Sequence, residues 1–117
     1  MTHVKGRRVF LSGPMTGLPD WNRAAFEEAE EQLVTCGIPL GNIYNPGKIA
    51  ESMSRLSHDE ALLRSIHAFS TVLSNHKPLY DLLVSLPGWE KSAGARLERE
   101  VAEACGIEVC NLDEVVE

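Results

Sequence analysis

The sequence has few cysteines and no apolar segment long enough to cross a lipid bilayer. Its three cysteines, Cys36, Cys105 and Cys110, include no C-x-x-C pair. An odd number without that spacing argues against a disulfide framework or a zinc site, so we interpret all three as buried thiols. His58 and His67 are too far apart on one predicted helix to form a metal-binding pair. No metal site is therefore predicted.

Basic residues are also scarce. The chain has 11 lysines and arginines against 17 acidic residues, a formal net charge of −6. Binding to a DNA or RNA polymer needs a concentrated positive surface, so we do not expect a nucleic-acid partner. A small phosphorylated ligand needs only a few local donors, and the net charge does not exclude one.

The remaining composition is that of an ordinary globular domain. The 117 residues suit one domain spanning residues 1–117, with 44% apolar and 24% charged residues. No signal peptide precedes the first predicted strand, because residues 1–8 lead directly into it. We therefore expect a cytoplasmic protein without a membrane partner.

Strand-like and helix-like segments alternate along the chain. Strands are predicted at 7–12, 43–46, 80–86 and 107–110, and helices at 20–36, from the capping box at 57–60 onward, and at 93–105. This alternation predicts the α/β class: one Rossmann-like or flavodoxin-like parallel sheet of about four to five strands, with helices on both faces. Residues 112–117 are predicted to form a short tail, such as one helical turn.

Two helices have specific expectations attached. Asp20 is positioned to cap the first helix. The second helix is expected to bury its apolar side chains, which are Leu62, Ile66, Phe69 and Leu73.

The most informative segment is 82–98. An apolar strand ends at Pro87-Gly88, a helix begins near Ser92, and Glu98 lies in the second turn of that helix. Ligands of open α/β sheets bind beyond the carboxyl ends of the strands, and a helix N-terminus there attracts anions. The segment therefore predicts a ligand pocket beside Ser92.

Glu98 is the charged residue beside an apolar helix face. That face is predicted to consist of Leu97, Val101, Ala104 and Cys105. Helical side chains lean toward the N-terminus, so Glu98 is expected to lean over the small residues Gly94 and Ala95, where a ligand can approach. The alternative is a structural carboxylate that caps a loop, pairs with an arginine or reaches water.

The loop Gly13-Pro14-Met15-Thr16-Gly17 follows the first predicted strand. That strand is usually central in such sheets, which would bring the loop near Ser92. The loop is neither a Walker A sequence nor G-x-G-x-x-G, so neither pattern predicts ATP or NAD binding. Trp89 is expected near the pocket mouth, either stacked on a base or filling a subunit interface.

Together these stretches resemble the nucleoside 2-deoxyribosyltransferase-like superfamily, in particular a phage-borne branch, and are also similar to nucleoside 5′-monophosphate N-glycosidases. Residues 9–17, VFLSGPMTG, resemble the opening strand and "AGP" loop of the family, and Asn45-Pro46 matches the end of its second strand. Residues 92–98, SAGARLE, resemble its motif (Asp or Ser)-x-Gly-x-x-x-Glu.

The resemblance implies cleavage or transfer of an N-glycosidic bond without a metal or organic cofactor. Glu98 matches the nucleophile, and water or a second base would resolve a covalent glycosyl-enzyme. Ser92 matches the phosphate-binding serine of the monophosphate hydrolases, where the transferases carry aspartate; a plain N-cap is the alternative. The implied substrate contacts are Gly13, Pro14, Met15, Thr16, Trp89, Ser92, Gly94 and Ala95.

The sequence departs from the family at two points. Pro14 stands where the nucleotide hydrolases carry a serine, and the second catalytic acid falls on Asp59, on Glu60 or on neither. A non-catalytic nucleotide-binding protein is therefore the alternative function. Because relatives are dimers or larger assemblies and this chain is short, a homodimer or higher homo-oligomer is expected, with a nucleotide or nucleoside as the small-molecule partner.

Overall fold

The structure is a computed structural model that describes residues 1–49, 58–69, 73, 75 and 77–117. Its strands are β1 (Thr2–His3), β2 (Val9–Ser12), β3 (Ile43–Tyr44), β4 (Leu82–Ser85), β5 (Glu108–Asn111) and β6 (Val115–Val116). Its helices are α1 (Arg23–Thr35), α2 (His58–Phe69) and α3 (Ala93–Ala104), with short 3-10 turns at Pro19–Asn22, Leu40–Asn42, Pro46–Ile49, Trp89–Lys91 and Leu112–Glu114.

Strands β3, β2, β4 and β5, in that order, form a parallel sheet. The chain adds β3 on one side of β2 and then crosses over to add β4 on the other. The strand order therefore reverses between β2 and β4, which is the position where open α/β sheets place their ligands. The predicted α/β class with a parallel sheet of about four strands is confirmed.

Both faces of this sheet are covered by helices, as predicted. Every residue of β2 and β4 is buried, which explains their nearly continuous apolar sequences. Alternate side chains point to opposite faces. On one face Leu11 and Val84 pack with Phe26 of α1. On the other face Phe10 and Leu83 pack with Ala102 of α3.

A second, two-stranded sheet joins the ends of the described chain. Strand β1 pairs in parallel with β6, so the expected C-terminal tail consists of a 3-10 turn followed by a strand. Val4 and Val115 are buried beside this pair. Two-residue strands are too short to show an alternating pattern, so local patterns did not predict them.

Helix α1 does not begin at Asp20. Asp20, Trp21 and Asn22 all have positive φ angles, a left-handed conformation that cannot belong to a right-handed helix. The helix begins at Arg23, and the Asn22 side chain donates to the Pro14 carbonyl at 2.9 Å instead of capping it. The predicted cap was wrong because a tertiary contact holds this turn.

The predicted core face of α3 was wrong at three of its four positions; the fourth, Val101, is partly buried and packs against the core. Ala95, Glu98 and Ala102 are the buried residues, whereas Leu97 is 38% exposed and Ala104 and Cys105 are exposed. The face with the smaller side chains lies against the sheet, which permits a closer approach of the helix. Leu97 lies on the flank as a result.

Two further expectations on burial, for α2 and for the cysteines, have mixed outcomes. Leu62 and Ile66 of α2 are partly buried, but Leu73 lies beyond the helix and is 37% exposed. The side chain of Phe69 and the predicted cap residue Ser57 lie outside the described residues.

Among the cysteines, Cys110 is buried, Cys36 is partly buried and Cys105 is exposed. Burial raises the pKa of the Cys110 thiol, which keeps it protonated.

Gly13 offers a test of the packing between β2 and β4. A Cβ at Gly13 would lie 2.8 Å from the Leu86 Cβ, which is closer than two non-bonded carbon atoms approach each other. Gly13→Ala should therefore lower the free energy of unfolding by about 1–3 kcal/mol, measured by urea denaturation. Gly41→Ala is the control, because no atom lies within 4 Å of that position. Equal stability of the two variants would contradict this packing.

Candidate active site

A row of polar side chains lies at the carboxyl edge of the sheet. Ser12, Ser85 and Asn111 are in register on the neighbouring strands β2, β4 and β5. Register partners in parallel strands point to the same face. Two consecutive residues of α3, Glu98 and Arg99, contact this row. The site therefore places one anionic and one cationic side chain along three strand ends.

Glu98 is a buried carboxylate in the middle of the inner face of α3. It is 7% exposed, and Ser12, which is 1% exposed, donates from Oγ to Glu98 Oε1 at 2.8 Å. Burying a carboxylate is costly unless it accepts hydrogen bonds, and a bond to a charged acceptor is stronger than a neutral one. The serine hydroxyl therefore holds the carboxylate in a defined orientation.

Arg99 is a site residue that sequence reasoning missed. Its Nη1 donates to Ser85 Oγ at 3.1 Å and to Asn111 Oδ1 at 2.9 Å. Its Nε lies 3.6 Å from Glu103 Oε1, an ion pair between neighbouring helical turns. Helical periodicity assigns a charged residue at this position to solvent, and only the register of β4 and β5 brings its acceptors together.

Trp89 packs against Arg99. The guanidinium Cζ lies 4.3 Å from the centroid of the indole ring, a cation–π arrangement. Because the other partners of Arg99 lie on β4 and β5, this contact places Trp89 at that side of α3. The half-buried Trp89 has one ring face covered in this way. Its roles as a base-stacking or interface residue stay predictions.

Ser92 caps α3. Its Oγ accepts from the Ala95 backbone nitrogen at 3.2 Å, so the capping alternative describes what the side chain does here. Gly94 is half-buried and Ala95 is 2% exposed. Glu98 follows Ala95 by three residues on the same buried face, as the spacing predicted. Phosphate binding by Ser92 stays a prediction.

The loops after β2 and β4 meet, as expected. Leu86 N donates to the Ser12 carbonyl at 2.8 Å, and a Cβ on Gly88 would lie 3.5 Å from the Pro14 Cγ. Within the first loop, Met15 packs against the apolar core on the α1 side, and Thr16 is exposed. Gly13 and Pro14 are thus placed close to the strand ends. Met15 therefore contributes to the packing of the core.

Tyr44 is a second residue that the sequence did not single out. It is half-buried at the end of β3 and stacks on Phe10, with ring centroids 4.6 Å apart and planes 7° apart. Burial raises the pKa of the Tyr44 phenol above its ordinary value, and the nearby charge of Glu98 raises it further. Tyr80 adds to this rise and Arg64 opposes it.

Asn45, next to Tyr44, has a structural role. Its Nδ2 donates to Glu30 Oε2 at 2.6 Å, and its Oδ1 accepts from Gly47 N at 2.9 Å. Lys48 Nζ binds the other Glu30 oxygen at 2.6 Å. This network ties the end of β3 to α1, so the Asn45-Pro46 sequence is explained by the fold.

Asp59 and Glu60, the candidates for a second acid, both lie in the first turn of α2. Glu60 is exposed on α2, and the side chain of Asp59 lies outside the described part of the chain. Asp81, 3.0 Å from Arg7 Nε, forms a surface ion pair, which is a structural role.

The described residues contain neither a metal-binding cluster nor a membrane-spanning helix. In residues 1–49, 58–69, 73, 75 and 77–117, no three His, Cys, Asp or Glu side chains are grouped in a way that could hold a metal ion. No helix in the same ranges has both the length and the apolar character needed to span a bilayer.

Fold and site define a class: a parallel α/β domain with a buried carboxylate where the strand order reverses. Residues 7–111 match the family described as "Domain of unknown function (DUF4406)", and the chain belongs to that family. The matched region runs from just before β2 to the end of β5. A comparison with curated proteins finds no match. Function is therefore argued from the site.

Arg99 offers a test of the polar row. The Arg99 side chain is 18% exposed and binds two acceptors, so Arg99→Gln should lower the free energy of unfolding by about 2 kcal/mol. Urea denaturation measures this change. The exposed Arg96 on the same helix gives the control Arg96→Gln, for which we expect little change. An Arg99→Gln variant as stable as the wild type would contradict the contacts of Arg99 described above.

Proposed function

We propose that this protein cleaves or transfers the N-glycosidic bond of a nucleoside 5′-monophosphate or nucleoside, with Glu98 as the nucleophile. The observation that carries the proposal is the buried Glu98 carboxylate, oriented by Ser12 at the reversal point of the sheet. The resemblance to the nucleoside 2-deoxyribosyltransferase-like superfamily supports the same chemistry.

The proposed reaction has two displacements. A Glu98 oxygen attacks the anomeric carbon, and the electron pair of the carbon–nitrogen bond leaves with the base. The resulting glycosyl-enzyme ester is then attacked by water, which makes the protein a hydrolase, or by a second base, which makes it a transferase. The hydrogen bond from Ser12 helps this chemistry by holding the carboxylate in one orientation before the substrate arrives.

The preferred substrate class is the 5′-monophosphate. Support comes from Ser92 at the N-terminus of α3, where helix N–H groups and the helix dipole favour an anion. The first turn of α3 contains no acidic residue that would oppose it.

Nucleoside monophosphates are cytoplasmic metabolites, in keeping with the proposed cytoplasmic location. We also propose a phage or prophage origin from the resemblance, and a homodimer, which light scattering would test.

Glu98→Gln tests the nucleophile. Glutamine keeps the size of the side chain but is a poor nucleophile, so base release from the best monophosphate should fall by at least about a thousandfold. The measurement is chromatographic detection of free base over a panel of nucleotides and nucleosides.

The matched control for this variant is Glu100→Gln, an exposed glutamate on the same helix, which should retain the wild-type rate. If Glu98→Gln released base as fast as Glu100→Gln, Glu98 could not be the nucleophile.

Ser92→Asp tests the choice of substrate. Aspartate is as good an N-cap as serine, so α3 should stay intact, but its charge repels phosphate. KM for the monophosphate should rise on the order of tenfold, whereas KM for the uncharged nucleoside should change little. Steady-state kinetics on this pair of substrates gives the result. An equal change for both substrates would argue against a phosphate contact at Ser92.

A second candidate function is nucleotide binding without turnover. It is favoured by the Ser12–Glu98 hydrogen bond, because a purely structural buried carboxylate would be satisfied in the same way. In that case monophosphates would raise the thermal unfolding midpoint of the protein, no free base would form, and Glu98→Gln would leave the binding unchanged.

A further inference from the structure

The proposed reaction requires a proton donor as well as a nucleophile. When the carbon–nitrogen bond breaks, the base leaves with the bonding electron pair, and protonation of the departing nitrogen lowers the barrier. The Ser12 hydroxyl already donates its proton to Glu98. A different group must therefore supply the proton.

The sheet register places a phenol on the same face as Glu98. Phe10 and Ser12 are two residues apart on β2, so their side chains point to the same side, about 6.6 Å apart along the strand. Tyr44 is the register partner of Phe10 and stacks on its ring. Ser12 binds Glu98 on this side of the sheet. Tyr44, Ser12 and Glu98 therefore lie on the same face of the sheet, and Tyr44 is near enough to Glu98 for its charge to act on the phenol.

The Tyr44 phenol carries a proton at neutral pH. Burial and the Glu98 charge keep the pKa of the phenol above its ordinary value, so it holds its proton at neutral pH; Tyr80 acts in the same direction, and Arg64 on α2 opposes them. Among the described residues, no group hydrogen-bonds the Tyr44 hydroxyl. The half-buried side chain can therefore donate to a ligand.

We propose that Tyr44 is the acid–base partner of Glu98 in this reaction. The inference rests on the proposed function. It assigns the proton transfer to Tyr44, whereas the sequence offered Asp59, Glu60 or neither residue for this role.

The proton and electron balance closes over two steps. In the first, a Glu98 oxygen bonds to the anomeric carbon, the bond to the base breaks with its electron pair on nitrogen, and the phenolic proton passes to that nitrogen. In the second, the Tyr44 phenolate takes a proton from water, and the water oxygen bonds to the anomeric carbon. The bond to Glu98 then breaks, and its electron pair returns to the carboxylate. The net change is a nucleotide plus water giving free base plus sugar phosphate.

Tyr44→Phe tests the assignment, and Tyr80→Phe is the matched control. Phenylalanine keeps the ring stack with Phe10, so folding should be preserved. Tyr80 belongs to the same aromatic cluster, with ring centroids 5.8 Å from Phe10 and 6.0 Å from Tyr44. The electrostatic partner of its hydroxyl is Arg8, which precedes β2 at the opposite end of the strand from Ser12. Tyr80→Phe therefore removes a hydroxyl from the cluster without removing the proposed donor.

The measurement is kcat and KM for base release, together with the same constants for a sugar 5′-phosphate that carries 4-nitrophenol in place of the base. 4-Nitrophenolate leaves without being protonated. We expect Tyr44→Phe to lower kcat for the natural base on the order of a hundredfold, with KM little changed. With the 4-nitrophenyl substrate the first turnover, measured as the pre-steady-state burst of 4-nitrophenolate, should slow by no more than a few-fold, because only the second step then needs Tyr44, as a base. Tyr80→Phe should resemble the wild type on both substrates.

Two results would overturn the role of Tyr44 while leaving the proposed function intact. One is a Tyr44→Phe variant that releases base as fast as Tyr80→Phe. The other is an equal loss in the release of the natural base and in the burst of 4-nitrophenolate, which would indicate a structural effect instead of proton donation. If the wild-type protein released no base from any nucleotide or nucleoside, both the proposed function and this inference would fall.

Discussion

The parallel pairing of β2 with β4 is the constraint on which the rest of the structure depends. All four residues of each strand are buried, so a slip by one residue would move every side chain to the opposite face and disrupt the packing on both. This register brings Ser12 level with Ser85 and joins the two loops at which Gly13 meets Leu86. Because the strand order reverses between these strands, the same pairing that forms the core also determines where a ligand site lies.

Helix α3 carries the chemistry of this site because of the residues it buries. Alanines at positions 95 and 102 let the helix approach the sheet closely, and the carboxylate between them then reaches Ser12. The next residue, Arg99, lies about 100° further around the helix and reaches the neighbouring strand ends instead. One helix thus presents opposite charges to two sides of β4: Glu98 accepts from Ser12, and Arg99 donates to Ser85 and Asn111 and pairs with Glu103.

Much of this arrangement was predictable from local patterns. The extent of α3, its Ser92 cap and the position of Glu98 in the second turn follow from helical periodicity and capping preferences, and the structure agrees with each. The errors have a common cause. Asp20 failed as a cap because Asn22 bonds to Pro14, and Leu97 failed as a core residue because the alanine face of α3 packs inward. In the first place a contact with the preceding loop outweighed a local preference, and in the second the packing of the helix on the sheet did so.

The amino-acid sequence by itself determined the α/β class, the parallel sheet and the presence of a carboxylate near a helix N-terminus at the strand ends. These properties depend on the alternation of apolar segments and on capping residues, which act over a few neighbouring positions. Only the tertiary structure decided the partners: Ser12 for Glu98, Ser85 and Asn111 for Arg99, and Phe10 for Tyr44. Those contacts join residues far apart in the chain, and they depend on strand register and helix approach, which local periodicity does not encode.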